Sequence, residues 1–403
     1  MYNTQLVTSN LFWVGASDRR ISRFENMFPI DKGIAYNSYL ILDEKTCLLD
    51  TVDKSISEIY IDNIYHVLNG RKLDYLVINH MEPDHCANIE RICELFPEVT
   101  LVGNNKTFTY LEQFYEADLS ARYHVVKDKE ELKLGERTLT FYLAPMVHWP
   151  EVMVTYINED KILFSADAFG SFGALDGNLF YDQIDDKDEL LNEYRRYYIN
   201  IVGKHGANVQ NLFKKIADLP VNMICALHGP VFREAQDIEF IMDKYQKWST
   251  YTPEEKGVVI VFASMYGNTE LAMDIIASKL SERGVRNIKM FDVSQTDPSY
   301  IVAQLHRYSN AVFSAINYNA ELYLGMSTLL QEAIMTNYQN RKISWVNNGS
   351  WAGKSLQMAQ EIMAKGKNIE TVGETLVLKS ALKKEQLPEL EALVEAIVTS
   401  LQE

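Results

Sequence analysis

Within six positions, His80-Met81-Glu82-Pro83-Asp84-His85, the chain places two imidazoles and two carboxylates directly after the apolar run Leu76-Val77-Ile78. Imidazole nitrogens and carboxylate oxygens together hold transition metals, and an oxygen-rich set with open positions suits non-haem iron. Zinc prefers nitrogen and sulfur in four-coordinate shells. Side chains of an extended segment alternate, so His80, Glu82 and Asp84 are expected to share a face. Pro83 keeps Glu82 in the extended region. Asp84 is expected to cap a helix over residues 86–96, whose apolar positions Ile89, Ile92, Cys93 and Phe96 have helical spacing, with His85 entering from its first turn. A capped helix beside an acidic loop would account for any one of these residues, but not for all of them together.

Three more groups end apolar, strand-like runs: His148 after residues 141–147, Asp167 after 162–164 and His228 after 223–227. Sheet proteins of the α/β type collect functional groups at the carboxyl ends of strands. Trp149-Pro150 and Gly229-Pro230 follow the two histidines, and both are turn chemistries that stop a strand. His66, His124, His205 and His306 lack such a setting and read as structural or surface residues. The set of four imidazoles and three carboxylates is enough for two metals. His80, Glu82 and His148 would serve one, Asp84, His85 and His228 the other, and Asp167 would bridge them.

The order His-x-Glu-x-Asp-His, then His, Asp and His, resembles the diiron site of the flavodiiron proteins, whose first domain is a metallo-β-lactamase-like αββα sandwich. Hydrolases of that superfamily carry His-x-His-x-Asp-His. Glu82 is therefore the residue that argues against the competing reading, a zinc hydrolase fused to a flavodoxin module. Tyr36-Asn37-Ser38-Tyr39-Leu40, Ala144-Pro145-Met146-Val147-His148-Trp149-Pro150 and Arg195-Arg196-Tyr197-Tyr198-Ile199-Asn200-Ile201-Val202 are also similar to segments of that family. The resemblance implies that Tyr197 donates a hydrogen bond to a metal-bound substrate. It also exposes a departure: Phe24-Glu25-Asn26 stands where some members carry a histidine near the metals.

From Gly257 onward, short β-rich runs alternate with amphipathic helical windows, at residues 258–262, 285–293, 311–316, 343–347 and 375–378. This pattern predicts a doubly wound parallel sheet. After its first strand, Ser264-Met265-Tyr266-Gly267-Asn268-Thr269 opens a helix expected over 270–281. Backbone N–H groups at a helix start, with hydroxyl and amide donors, form an anion site. The turn has no lysine for a nucleoside triphosphate, and the chain has no Gly-x-Gly-x-x-Gly for a dinucleotide. The turn resembles the phosphate loop of flavodoxins. Ala315-Ile316-Asn317-Tyr318-Asn319 and Asn348-Gly349-Ser350-Trp351-Ala352-Gly353 follow the third and fourth strands. In a flavodoxin-like sheet of order 2-1-3-4-5 all three loops meet at the switch point and hold FMN. Trp351 and Tyr318 are expected to flank the flavin ring.

A chain of 403 residues, 47% of them hydrophobic, can bury two cores. The expected domains are 1–249 and 257–403, joined by a polar linker at 250–256. No run is long enough to span a bilayer, and residues 1–10 carry no basic-then-apolar signal, so a cytoplasmic protein is expected. A net charge of −16 argues against nucleic acid as a partner. Cys47, Cys86, Cys93 and Cys225 are scattered and read as apolar packing rather than disulfides. Without a Cys-x-x-Cys pair the resemblance is to the two-domain form, which implies a separate electron donor such as rubredoxin or its reductase. Two ferrous ions and a reduced flavin hold the four electrons that take dioxygen to water, and nitric oxide needs two per pair to become nitrous oxide. Members of the family form head-to-tail dimers that bring one subunit's flavin to the other's irons. The same homodimer, or a dimer of dimers, is expected.

Overall fold

The computed structural model describes residues 1–351 and 353–402, so Ala352 of the third flavin loop lies outside the described residues. The chain divides into two compact units, Met1–Tyr245 and Gln246–Glu403.

In the first unit two sheets share one core. One has the order Gln5–Thr8, Leu11–Trp13, Tyr39–Leu42, Thr46–Leu49, Tyr75–Val77, Thr100–Gly103, Tyr123–Val125. Its first strands pair antiparallel, the hairpin Gln5–Thr8/Leu11–Trp13 lying beside the hairpin Tyr39–Leu42/Thr46–Leu49, and from Thr46–Leu49 onward the pairs are parallel, with crossover helices Ser57–Leu68 and Asn105–Phe114. The second sheet runs Glu131–Lys133, Thr138–Leu143, Met153–Ile157, Ile162–Phe164, Met223–Cys225. Leu49, Val77 and Val102 of the first sheet join Phe141, Met153, Phe164 and Cys225 of the second in a single buried cluster. Each such side chain contributes about 1.5–3 kcal/mol on burial. The sheets therefore pack face to face as the sandwich expected from the resemblance, and their polar loops are left to the strand ends.

Locally the histidine-rich segment departs from expectation. The single helix expected over 86–96 is two pieces, Pro83–Cys86 and Ile89–Leu95. Glu82, not Asp84, occupies the N-cap position, and Asp84 lies inside the first turn. Pro83 is the reason: its fixed φ suits the first helical position, so the helix starts earlier than apolar periodicity alone indicates.

The second unit is a parallel sheet of order Ile288–Asp292, Glu255–Phe262, Tyr308–Tyr318, Arg341–Asn348, with Ile369–Thr371 and Leu376–Leu378 both pairing alongside the last. This is the 2-1-3-4-5 order, the fifth position being shared by two short strands. Val285 falls outside the second strand. Ile369–Thr371 is too polar to register in the sequence pattern. Val258, Ile260, Val312 and Val346 form a core with the helices Asn268–Glu282 and Leu387–Gln402. Among the described residues no helix is long and apolar enough to cross a membrane.

Candidate functional site

The metal-type residues converge from four loops of the first unit. Parallel pairing of Leu49 with Val77, and of Phe164 with Cys225, sets the loops that follow these strands side by side. One ligand atom from each of His80, Glu82, His148 and Asp167 lies within 4.8 Å of the others, and Asp84, His85 and His228 form a second group by the same measure. All seven residues are buried. Alternation brings His80 and Glu82 together, as expected, whereas Asp84 turns with the helix into the other group. His148 stands in a loop beyond the end of the strand Thr138–Leu143, not at its last residue.

Asp167 joins the two groups. Its Oδ2 lies 3.2 Å from His80 Nε2 and 3.0 Å from His148 Nε2, while its Oδ1 lies 3.2 Å from His85 Nε2 and 3.7 Å from His228 Nε2. Glu82 Oε2 faces His148 Nε2 at 3.0 Å and His80 Nε2 at 3.3 Å. Asp84 Oδ2 faces His228 and His85 at 3.2 and 3.3 Å. Burial alone would raise Asp167 and Glu82, but the neighbouring imidazoles outweigh it and hold both carboxyls well below their usual range. Burial likewise opposes the charged form of His80 and His148, yet the carboxylates prevail. His80 is held well above its ordinary value, and His148 is pushed up to about 9.

Several groups that support these residues carry no signal in the sequence. His80 Nδ1 meets Glu151 Oε1 at 2.7 Å, and that oxygen also accepts the Met81 N–H at 2.8 Å. The Asp50 carboxylate accepts from the backbone N–H groups of Asn79 and His80, at 2.7 and 3.1 Å, and pins the loop. The Ala35 carbonyl faces His228 Nδ1 at 2.8 Å. Partners of this kind fix the ring orientation and tautomer of ligating histidines. Spacing on the chain does not reveal them, because each lies far from its histidine in sequence.

A cavity of about 580 Å³ opens onto Glu82 and Asp84, with Arg20, Arg23, Glu25 and Tyr36 among its walls. Burial and the adjacent Glu82 carboxyl push Glu25 up to about 8. Phe24 packs its ring 5.4 Å from that of His228. Tyr197 is fully buried at the end of the helix Lys187–Tyr197, where the chain passes into a π-helical turn, Tyr198–Val202. Its ring lies 5.4 Å from that of His228, and among the described residues its hydroxyl makes no hydrogen bond. Burial, then Asp167, Asp84 and Glu82, raise it well above its ordinary value, so it is a phenol rather than a phenolate. Of the histidines set aside, His66 stacks on Tyr2 at the surface and His306 is buried against Tyr338.

In the second unit Ser264, Met265, Tyr266, Asn268, Thr269, Ile316, Asn317, Asn348, Gly349, Ser350 and Trp351 line a cavity of about 130 Å³. Gly267, at φ +84°, makes the turn into the helix without entering the cavity wall. Ala315 is buried in its strand, and Tyr318 and Asn319 are not among the lining residues; Tyr318 pairs with Glu321 of the short strand Glu321–Leu322, its ring 6.3 Å from that of Tyr323. Trp351 is 64% exposed at the cavity rim. Ser380, outside the three loops read from the sequence, also lines this cavity.

Residues 34–229 match the family model described as ODP family beta lactamase. The chain is 31% identical to the anaerobic nitric oxide reductase flavorubredoxin of Aeromonas hydrophila over 360 residues, covering 88% of this chain and 71% of the relative. It is 30% identical to the Escherichia coli O6:K15:H31 protein of the same name over 353 residues, covering 86% and 72%. The chain belongs to the flavodiiron protein family. Solved structures agree. The rubredoxin oxygen:oxidoreductase of Desulfovibrio gigas superposes with a TM-score of 0.92 at 27% identity, covering 99% of this chain and 98% of that one. The flavodiiron protein of Giardia intestinalis shares the fold, with a TM-score of 0.90 at 23% identity and the same coverage.

Flavodiiron proteins are oxidoreductases that carry a diiron centre and FMN, and the residues of this chain fit both groups. Among the described residues, both oxygens of Asp84 and of Asp167 are buried and make no hydrogen bond. Buried polar atoms are costly unless compensated, and a cation between imidazole nitrogens and carboxylates supplies the compensation. In the flavin cavity Asn317 Oδ1 is likewise buried without a partner among the described residues. A Cβ at Gly349 or Gly353 would collide with the Asn317 side chain, so both glycines are required for that asparagine to face the loop.

Proposed function

We propose that this flavodiiron protein reduces dioxygen to water, nitric oxide to nitrous oxide, or both, with electrons passed through FMN from a separate donor of the rubredoxin type. His80, Glu82 and His148 would hold one iron and Asp84, His85 and His228 the other, with Asp167 shared between the two groups, all within the domain of residues 1–249. FMN is held in the domain of residues 257–403 by the loops 264–269, 315–319 and 348–353. The observation that carries this reading is Asp167, whose two carboxylate oxygens each face the imidazoles of a different group. Relatives named for nitric oxide reduction and for oxygen reduction support both substrates.

When bound, the diiron centre and FMN together supply the electrons for reducing a diatomic gas. The protein's own residues do the rest. Asp167, Glu82 and Asp84 supply three negative charges that balance a dimetal cation in a buried pocket, and Glu82 replaces the neutral histidine of a hydrolase with an anion. Glu151 and the Ala35 carbonyl hold His80 and His228 with Nε2 facing inward. Tyr197 keeps its proton and, among the described residues, has no hydrogen-bond partner, so its hydroxyl is available to donate to a substrate held at the site. The cavity beside Glu82 and Asp84 provides the entry path. A cytoplasmic location and a head-to-tail homodimer, in which one subunit's flavin serves the other's irons, complete the proposal.

Anaerobic stopped-flow mixing of the fully reduced protein with each gas tests it. Rapid consumption of dioxygen or nitric oxide with iron bound is expected. Protein that contains only zinc, and gains no gas consumption when iron replaces it, would refute the proposal.

A further inference from the structure

The strand Leu376–Leu378 runs into a tight turn at Lys379-Ser380-Ala381, and Ser380 shares the cavity lined by the three flavin loops. Its N–H donates to Asn348 Oδ1 and its carbonyl accepts from Asn348 Nδ2, both at 3.1 Å. The same amide nitrogen donates to Thr269 Oγ1 at 3.0 Å. One side chain, Asn348, thus ties the first loop to this fourth one. Ser380 has φ +74°, a region serine seldom adopts unless its surroundings over-determine it, and the Asn348 amide supplies that constraint. Ser380 Oγ donates to Ser350 Oγ at 2.9 Å. With its oxygen accepting that hydrogen bond, the Ser350 hydroxyl is left to donate its own hydrogen elsewhere, and Ser350 stands on the cavity wall.

We propose that the turn at Ser380 is a fourth loop of the flavin cradle. Asn348 fixes this turn against the phosphate loop, and Ser380 orients the Ser350 hydroxyl to donate to an oxygen of FMN. Ser350 is then the binding group, with Ser380 and Asn348 as positioning residues. The inference rests on reading this cavity as the FMN site.

The test uses full-length protein stripped of flavin and titrated with FMN, following the quenching of flavin fluorescence. Ser380→Gly removes the hydroxyl while relieving the backbone at positive φ, so its folding is not endangered. It should weaken FMN binding about fivefold, the scale of one neutral hydrogen bond. Because Ser380 acts through Ser350, the double variant Ser380→Gly/Ser350→Ala should bind no more weakly than Ser350→Ala alone. Riboflavin titrated in parallel distinguishes the accepting oxygen: loss for FMN only assigns the phosphate, loss for both assigns the ring or ribityl chain. FMN binding unchanged by Ser380→Gly, or losses that simply add, would overturn the proposal, provided Thr269→Val and Trp351→Ala weaken binding. If those two variants also bind FMN like the parent, the reading of the cavity itself fails.

Discussion

Glu151 is the residue on which the metal site's order most depends outside the ligands themselves. It is fully buried and its Oε1 engages both His80 Nδ1 and the Met81 N–H. Glu151→Gln should lower metal affinity about 10–100-fold, the usual cost of losing such a partner, with the fold intact. Iron content after dialysis against a chelator measures it, and full retention of both irons would count against this role. His85 contrasts with His80, since among the described residues its buried Nδ1 has no hydrogen-bond partner. Metal uptake should also depend on pH. With His80 held well above its ordinary value and His148 at about 9, these imidazoles carry protons at neutral pH in the metal-free protein. Metal requires them neutral, so binding expels protons and apparent affinity climbs as pH rises toward about 9. Chelator competition at pH 7 and pH 9 checks the sign; a flat profile would contradict it.

Elements place these residues through their ends. The strands Tyr75–Val77, Ile162–Phe164 and Met223–Cys225 are only three residues each, enough to enter the sheet before the chain releases a ligand loop. The π-helical turn after Tyr197 is the kind of irregularity found at functional sites, because an extra residue re-aims side chains on either side. In the second unit the helix Leu324–Met335 carries Glu332, which burial, and then Asp297, push up to about 7. The folded state therefore holds this proton where an unfolded chain, near the ordinary 4.5, has released it. Stability contributed by the protonated form is present below that lower value and is lost as pH rises to about 7. Glu332→Gln stays neutral throughout and should raise the melting temperature at pH 8 by about 1–3 °C, a range kept small by solvent screening at this half-exposed site, with little change at pH 4.5. Equal shifts at both pH values would show that packing, not charge, is responsible.

At the scale of the whole molecule, each unit has its own apolar core, one built around Leu49 and Phe164 and the other around Ile260 and Val346. If FMN is held within the second unit, as proposed, saturating flavin should raise that unit's unfolding transition alone. At 100 times Kd the gain is about 2.7 kcal/mol. Calorimetry of flavin-loaded and flavin-stripped protein reads this, and a shift of both transitions would deny the separation. If catalysis requires the partner subunit's flavin, donor-driven gas consumption per chain should fall on dilution below the dimer's dissociation range, while iron and FMN content stay constant. Activity independent of concentration in a demonstrably monomeric sample would exclude the cross-subunit arrangement.

The sequence alone determined the chemistry. Ligand-type residues must be particular amino acids, and His80-Met81-Glu82-Pro83-Asp84-His85, with His148, Asp167 and His228 after apolar runs, announced themselves by identity and local spacing. Strand periodicity likewise made the second unit's doubly wound parallel sheet legible, while its strand order was implied by the resemblance of the turn at 264–269 to the flavodoxin phosphate loop. Tertiary structure alone decided which carboxylate faces which imidazole, that Asp167 offers one oxygen to each group, and that Asp84 turns with a helix begun by Pro83. It also supplied the supporting partners. Glu151 lies 71 residues from His80, the Ala35 carbonyl 193 from His228, and Ser380 32 from Asn348. Hydrogen bonds of this kind are fixed by how strands pair across the sandwich and the parallel sheet, and their partners are ordinary residues or bare backbone. No local pattern encodes them, because only the packed chain brings them within 3.1 Å.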